Sequence, residues 1–275
     1  MNTKVFNNFA KLKHTLFLVP LFLIIVIVIF LYNENALNID GYIQVQKEGF
    51  YFINNYLGQY PNIEYNLTQF GDASIFLSFL IILVIYMPKI WESLLSALIV
   101  SAVISKALKD IFWVPRPAEV FDNNSFIIIG KALPGFSSLP SGHSITVFTI
   151  LSILMFAFMP KKSNYKVLWI LLIINIGIIL VFSRVGVGAH YPLDVIIGSI
   201  IGYISGITGI FISRKYKIWT WINNKKYYLI FILAIIICSI TILVKIINGN
   251  FIVYYLALIS LFVSLYKFIH VYIKK

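Results

Sequence analysis

Four residues suited to binding an anion or moving a proton, Ser183, Arg184, His190 and Asp194, fall within one stretch of twelve. His190 and Asp194 are four residues apart, so the carboxylate can hold one ring nitrogen and leave the other as a base or nucleophile. Gly186 and Gly188 allow a tight turn and a close backbone approach to a ligand. Pro192 suits the first turn of a following helix, which sets Asp194 near that helix's N-terminus. The same letters also describe a capped helix start with a structural histidine, and the stretch alone leaves both readings open.

Two further clusters carry compatible chemistry. Lys109 and Arg116 are separated by six residues in Lys109-Asp110-Ile111-Phe112-Trp113-Val114-Pro115-Arg116-Pro117. Lysine offers a compact charge, and arginine a planar fork that matches phosphate oxygens. The alternative for such a pair is a helix-end cap or a headgroup anchor. In Pro140-Ser141-Gly142-His143, a helix opens on Ser141 and Gly142. Its free N–H groups and dipole favour an anion, and His143 can donate a proton beside it. A plain serine cap followed by an incidental histidine competes with that reading. Together, cations, a helix N-terminus and two histidines describe phosphoryl transfer without a metal.

The elements that must position these groups are membrane helices. The chain has 275 residues, of which 60% are hydrophobic and 12% charged; ordinary soluble domains are about 25% charged. Apolar runs at 16–32, 73–87, 90–108, 144–159, 167–182, 193–212, 228–247 and 251–268 predict eight helices. Several reach the ~20 residues of a full span only if flanking lysines and aromatics snorkel. No small-x-small cleavage site follows the first run, so it reads as an uncleaved helix rather than a signal peptide. Residues 33–72 form a polar stretch with aromatics, consistent with an interfacial segment and a short helix around 44–56. Gly198, Gly202 and Gly206, at four-residue spacing, present a flat face for close helix contact. The fold expected is all-α: a polytopic bundle with a six-helix unit over 1–213 and a C-terminal pair over 214–275.

Charge placement predicts orientation and excludes other classes. With a cytoplasmic N-terminus, 15 of the 22 basic residues fall on the cytoplasmic side: Lys4, Lys11, Lys13, Lys89, Lys161, Lys162, Lys166, Arg214, Lys215, Lys217, Lys225, Lys226, Lys267, Lys274 and Lys275. That is the bias of the positive-inside rule, and it sets both termini in the cytoplasm. Lys106 and Lys245 sit in apolar surroundings and read as snorkelling side chains. The net charge of +12 is spread between runs, which argues against a nucleic-acid partner. The single Cys238 excludes an intrachain disulfide and a cysteine-built metal cluster. Four histidines, two of them near the termini, make a histidine-rich metal site unexpected, and no cofactor is called for. No feature of the sequence fixes an oligomeric state.

The same topology brings the three clusters to one level of the outer face. At these residues the chain resembles the type-2 phosphatidic acid phosphatase family, relatives of the vanadium haloperoxidases. The likeness rests on Lys109 to Arg116-Pro117, on Pro140-Ser141-Gly142-His143, and on Ser183-Arg184 to His190 and Asp194. All three motifs are present in order, and the resemblance covers roughly 73–212. It implies that His190 attacks phosphorus to form a phosphohistidine, steadied by Asp194. His143 would protonate the leaving group and then activate water. Lys109, Arg116, Ser141, Gly142 and Arg184 would cradle the phosphate oxygens. The implied substrate is a membrane lipid phosphate or pyrophosphate, such as phosphatidic acid, phosphatidylglycerol phosphate, undecaprenyl pyrophosphate or a lipid A phosphate. The setting implied is the cell's inner (plasma) membrane, with the site on its periplasmic or extracellular side. Competing readings are a lipid phosphotransferase with the same site, a channel or transporter, and a haloperoxidase, whose relatives are soluble.

Overall fold

The computed structural model describes residues 2–273, and all regular structure among them is helical. In chain order the elements are α1 (Asn2–Ala10), α2 (Leu18–Asn33), α3 (Ile39–Leu57), α4 (Pro61–Thr68), α5 (Ala73–Ser78), α6 (Leu83–Tyr86), α7 (Pro88–Phe112), α8 (Pro117–Val120), α9 (Gly142–Ala157), α10 (Ser163–Gly186), α11 (Pro192–Lys215), α12 (Tyr228–Asn248) and α13 (Ile252–Ile273). Five segments are long and apolar enough to cross a membrane: His14–Asn33, Ser163–Gly186, Pro192–Lys215, Lys225–Asn248 and Ile252–Ile273. In α2 only Pro20 and Leu31 are buried, as expected of a helix that is apolar all round and faces lipid. Lys274 and Lys275, counted above in the orientation argument, lie outside the described residues.

The centre of the bundle is α11, wedged between α9 and α7. Its glycines make that possible. A Cβ added at Gly198 would lie 2.7 Å from the Ser141 carbonyl oxygen, and one at Gly202 would lie 2.4 Å from that of Ile145. At Gly206 it would run into Ser152, and at Gly209 into the backbone of Ala97 on α7. The glycine face is therefore a packing surface, and it carries α9 and α11 close enough for their N-termini to share one site.

Three features depart from the sequence expectation. The run 73–87 is not one helix: α5 and α6 are separated by turns whose bonds skip three residues, such as Leu80 N–H to the Leu77 carbonyl. Such winding rises faster per residue than an α-helix and stretches a short apolar run. The polar N-terminus forms α1, which buries Val5 and Phe9 and donates from Asn8 Nδ2 to the carbonyls of Ala157 and Met159. Lys245 does not snorkel; it pairs with Asp72 at the N-cap of α5. That pair fastens the C-terminal helices to the 61–78 segment. Asn66 Oδ1 accepting from Val253 N–H at 3.0 Å, and Ser260 Oγ donating to the Ser78 carbonyl at 3.0 Å, add to the attachment.

The two ends of the bundle differ in character. At one end Lys89 Nζ bonds Glu92 and the Ser213 carbonyl, and Arg214 donates to the carbonyls of Ala10 and Leu12. At the other end lie the last turn of α7, the 113–141 connection, the start of α9 and the α10–α11 turn. All the predicted site residues belong to that second end.

Candidate active site

The α10–α11 turn sets His190. Gly188 has φ +77°, and a Cβ there would lie 2.7 Å from the Ile127 carbonyl oxygen, so both the backbone angle and the space demand glycine. Pro192 opens α11, and Asp194 accepts from the Tyr191 N–H at 3.0 Å, closing the helix start. The His190 ring is buried at 1% exposure. Its Nδ1 is 3.4 Å from Asp194 Oδ2 and 3.5 Å from Ser138 Oγ. Asp194 itself is fully buried and accepts from Ser138 Oγ at 2.6 Å and from Tyr42 OH at 2.8 Å. The expected carboxylate–imidazole contact is thus present but long, and a serine shares the space between them. With Nδ1 turned to this group, Nε2 is the nitrogen left for chemistry.

The other motifs meet this one through the backbone and through glycine. Ser141 N–H donates to the Asp194 carbonyl oxygen at 3.0 Å, joining the starts of α9 and α11. Ser141 is the N-cap of α9, and its Oγ accepts from the N–H and hydroxyl of Ser144, so its cap role is realised. Gly142 leaves room for Lys109: a Cβ there would lie 3.5 Å from Lys109 Nζ. His143 packs on Gly71, where a Cβ would stand 2.4 Å from the imidazole's Cδ2. Arg116 is oriented by its own N–H bonding the Gly135 carbonyl and by Nη2 donating to Ser137 Oγ at 3.3 Å. Arg184 is 6% exposed; Nη1 donates to Thr68 Oγ1 at 2.9 Å, while Nε is buried with no partner among the described residues.

Electrostatics confirm that these groups share one neighbourhood. Burial, followed by the charges of Arg116, Arg184 and Lys109, pushes His190 well below its ordinary imidazole value. A neutral ring ringed by cations can attack an anion's phosphorus but resists protonation. His143 and His190 lie within reach of each other's charge. Among the described residues, no group of three or more His, Cys, Asp or Glu is arranged to hold a metal ion. A cavity of about 150 Å³ lies beside Arg184 and the 187–189 turn.

Several residues of the site went unseen in the sequence. Tyr42, Gln46, Phe50 and Asn54 are buried on one face of α3. Gln46 Oε1 accepts from Leu193 N–H, while Asn54 bonds the backbone of Ile127, Val185 and Gly186. Their four-residue spacing was the available signal: an interfacial helix has no reason to line tyrosine, glutamine and asparagine along one stripe with phenylalanine. Ser138, Thr68 and Glu64 carried no signal of their own.

Residues 90–219, which hold all three motifs, match the family model described as the PAP2 superfamily. The match covers 130 of the 275 residues. Three curated relatives are similar to parts of the chain. The bacitracin transport permease protein BcrC of Bacillus licheniformis is 41% identical over 71 residues, which is 26% of this chain and 31% of that protein. An undecaprenyl-diphosphatase of Sulfolobus acidocaldarius is 30% identical over 138 residues, covering 50% and 62% of the two chains. A lipid A 1-phosphatase of Rhizobium etli is 34% identical over 134 residues, covering 47% and 53%. The chain therefore spans less than two thirds of each of these relatives. The α1–α4 segment and the α12–α13 pair lie outside the PAP2 match.

Proposed function

We propose that this protein is an integral membrane phosphatase that removes phosphate from a lipid phosphate or pyrophosphate at the non-cytoplasmic face. The observation that carries this reading is His190. One nitrogen is turned to Asp194 and Ser138, the other is unengaged, and three cations bear on the ring. The match of 90–219 to the PAP2 superfamily model and the relatives named for undecaprenyl diphosphate and lipid A support the substrate class.

In this reading Nε2 of His190 attacks phosphorus while the bond from phosphorus to the lipid oxygen breaks. His143 gives that oxygen its proton. Lys109, Arg116 and Arg184 neutralise the three equatorial oxygens, and the Gly142 N–H at the helix start adds a donor, in the manner of electrostatic catalysis. Asp194 offsets the charge that the imidazole acquires. His143, now a base, takes a proton from water, which attacks the phosphohistidine and releases inorganic phosphate. The basic bias at the Lys89–Arg214 end supports cytoplasmic termini and a site at the opposite face, with 1–213 as the catalytic unit and 214–275 as an attached helix pair.

The permease name of one relative raises a transport reading. Against it, the buried ionisable groups lie at the two ends of the bundle, Glu92 with Lys89 at one and Arg184, His190 and Asp194 at the other, instead of recurring along a path. Purified protein in detergent should release phosphate from a panel of prenyl, phospholipid and lipid A phosphates, and His190→Ala should lower turnover by at least about 10³-fold. Undiminished release by a folded His190→Ala variant would overturn the mechanism.

A further inference from the structure

The cavity beside Arg184 is separate from the cradle that the mechanism uses. Of the cradle residues only Arg184 lines it, and Ala189, next to His190, forms part of its wall. Its volume of about 150 Å³ would hold roughly five waters at ~30 Å³ each, room for one phosphoryl-sized group. The lining contains two cations, Arg184 and Lys131, and no carboxylate; Tyr65, Thr68 and Gln69 add neutral polar groups. Lys131 is exposed and forms no ion pair among the described residues. Arg184 is 6% exposed, and Thr68 is the only side-chain partner of its guanidinium among the described residues. The wall is also firmly set, since the Tyr65 ring stacks on Phe251 at 4.0 Å. Phe251, Tyr65 and Gln69 all fall outside the PAP2 match of 90–219.

We propose that this cavity is a second phosphoryl subsite, which makes a lipid diphosphate the preferred substrate and Lys131 a specificity-determining residue. The assignment rests on the phosphatase reading above. Two phosphates joined by one bridging oxygen need cations on both, and a guanidinium fork placed between cradle and cavity can bond each. The step balances as follows. His190 Nε2 bonds the terminal phosphorus, the bond from that phosphorus to the bridging oxygen breaks, and His143 gives the bridging oxygen its proton. The lipid monophosphate then leaves with its remaining charge held by Lys131 and Arg184, and water returns the terminal phosphoryl group as inorganic phosphate.

The test is a ratio. For purified full-length protein, kcat/KM is measured on a prenyl diphosphate and on the monophosphate of the same tail, with wild type, Lys131→Gln and Lys131→Arg. Lys131 lies on an exposed loop, so neither variant threatens the fold. Loss of one charge-assisted contact predicts that Lys131→Gln lowers the diphosphate-to-monophosphate ratio by about 10- to 100-fold, with Lys131→Arg restoring most of it. An unchanged ratio in Lys131→Gln overturns the proposal. If the ratio holds while inhibition by added inorganic phosphate weakens, the cavity takes free phosphate, and the second-phosphoryl assignment is equally overturned. If wild type releases phosphate from neither lipid, it is the phosphatase reading that fails, and this proposal falls with it.

Discussion

Asp194 and Arg184 are both buried, ten residues apart, at the two sides of one turn, yet the protein treats them oppositely. The carboxylate accepts from Tyr42, Ser138 and the Tyr191 N–H and lies near His190. Among the described residues the guanidinium has one side-chain partner, Thr68, and an orphaned Nε. A buried charge with all its partners is finished structure. A buried charge lacking them carries a desolvation cost that a bound anion would offset. On the proposed function, the turn separates a built-in support for the histidine from a group held ready for ligand.

The comparison breaks most sharply under paired truncation. Arg184→Met keeps the volume and removes the unpaired charge, so the folded protein should be no less stable. Its kcat for phosphate release should nevertheless fall by about 10²- to 10³-fold, the loss typical of one anion-stabilising donor. Asp194→Ala strands three donors and should lower unfolding stability by about 3 kcal/mol. Thermal unfolding in detergent, read beside turnover, separates the two. Equal destabilisation by both variants would erase the distinction drawn here.

Glu64 extends the comparison to an orphaned acid. It lies one turn before Thr68 on α4, is 5% exposed, and its Oε2, close to Gly186, has no partner among the described residues. Burial raises its carboxyl from 4.5 to about 7. Because the folded value exceeds the unfolded one, the folded state binds the extra proton. The stability tied to that proton is complete below pH ~4.5 and is lost as pH rises through ~7. At ~1.4 kcal/mol per unit the loss is about 3 kcal/mol. Unfolding midpoints at pH 5.5 and 8.5 should therefore differ more for wild type than for Glu64→Gln, which has no proton to lose. Identical differences would mean that Glu64 is solvated or paired when ionised.

What could be read from the sequence follows the range of the interactions. Motifs whose members sit within a turn or two, such as His190 with Asp194 or Ser141 with Gly142, announce themselves by spacing, and the structure places them at one end of the bundle. The glycines of α11 were legible because helix packing repeats every four residues. Ser138 was not, since it acts on Asp194 across 56 residues of chain and looks locally like any polar surface residue; the stripe of α3 marks Tyr42 as buried but not its partner, which lies 152 residues away. Lys245 was misread for the same reason: its partner Asp72 lies 173 residues away, and only the fold brings the two together. The break between α5 and α6 had no marker either, because nothing apolar in 79–82 resists a helix; packing, not propensity, decided it.

The smallest test probes how finished the Asp194 shell is. Burial, together with the Asp194 charge, pushes the Tyr42 hydroxyl well above its ordinary value, so it remains a donor across the working pH range. Tyr42→Phe removes one donor and keeps the ring, leaving Ser138 and the Tyr191 N–H in place. The expected cost is about 1 kcal/mol of stability and a decrease in kcat of about five-fold at unchanged KM, since Tyr42 reaches the histidine only through the carboxylate. A fall as deep as that of Arg184→Met would mean that the carboxylate's partners set the nucleophile's reactivity directly, and the division between support and ligand-binding charge would have to be redrawn. No change at all would leave Ser138 and the Tyr191 N–H as the effective anchors, and Ser138→Ala in the Tyr42→Phe background should then cost much more than either variant alone.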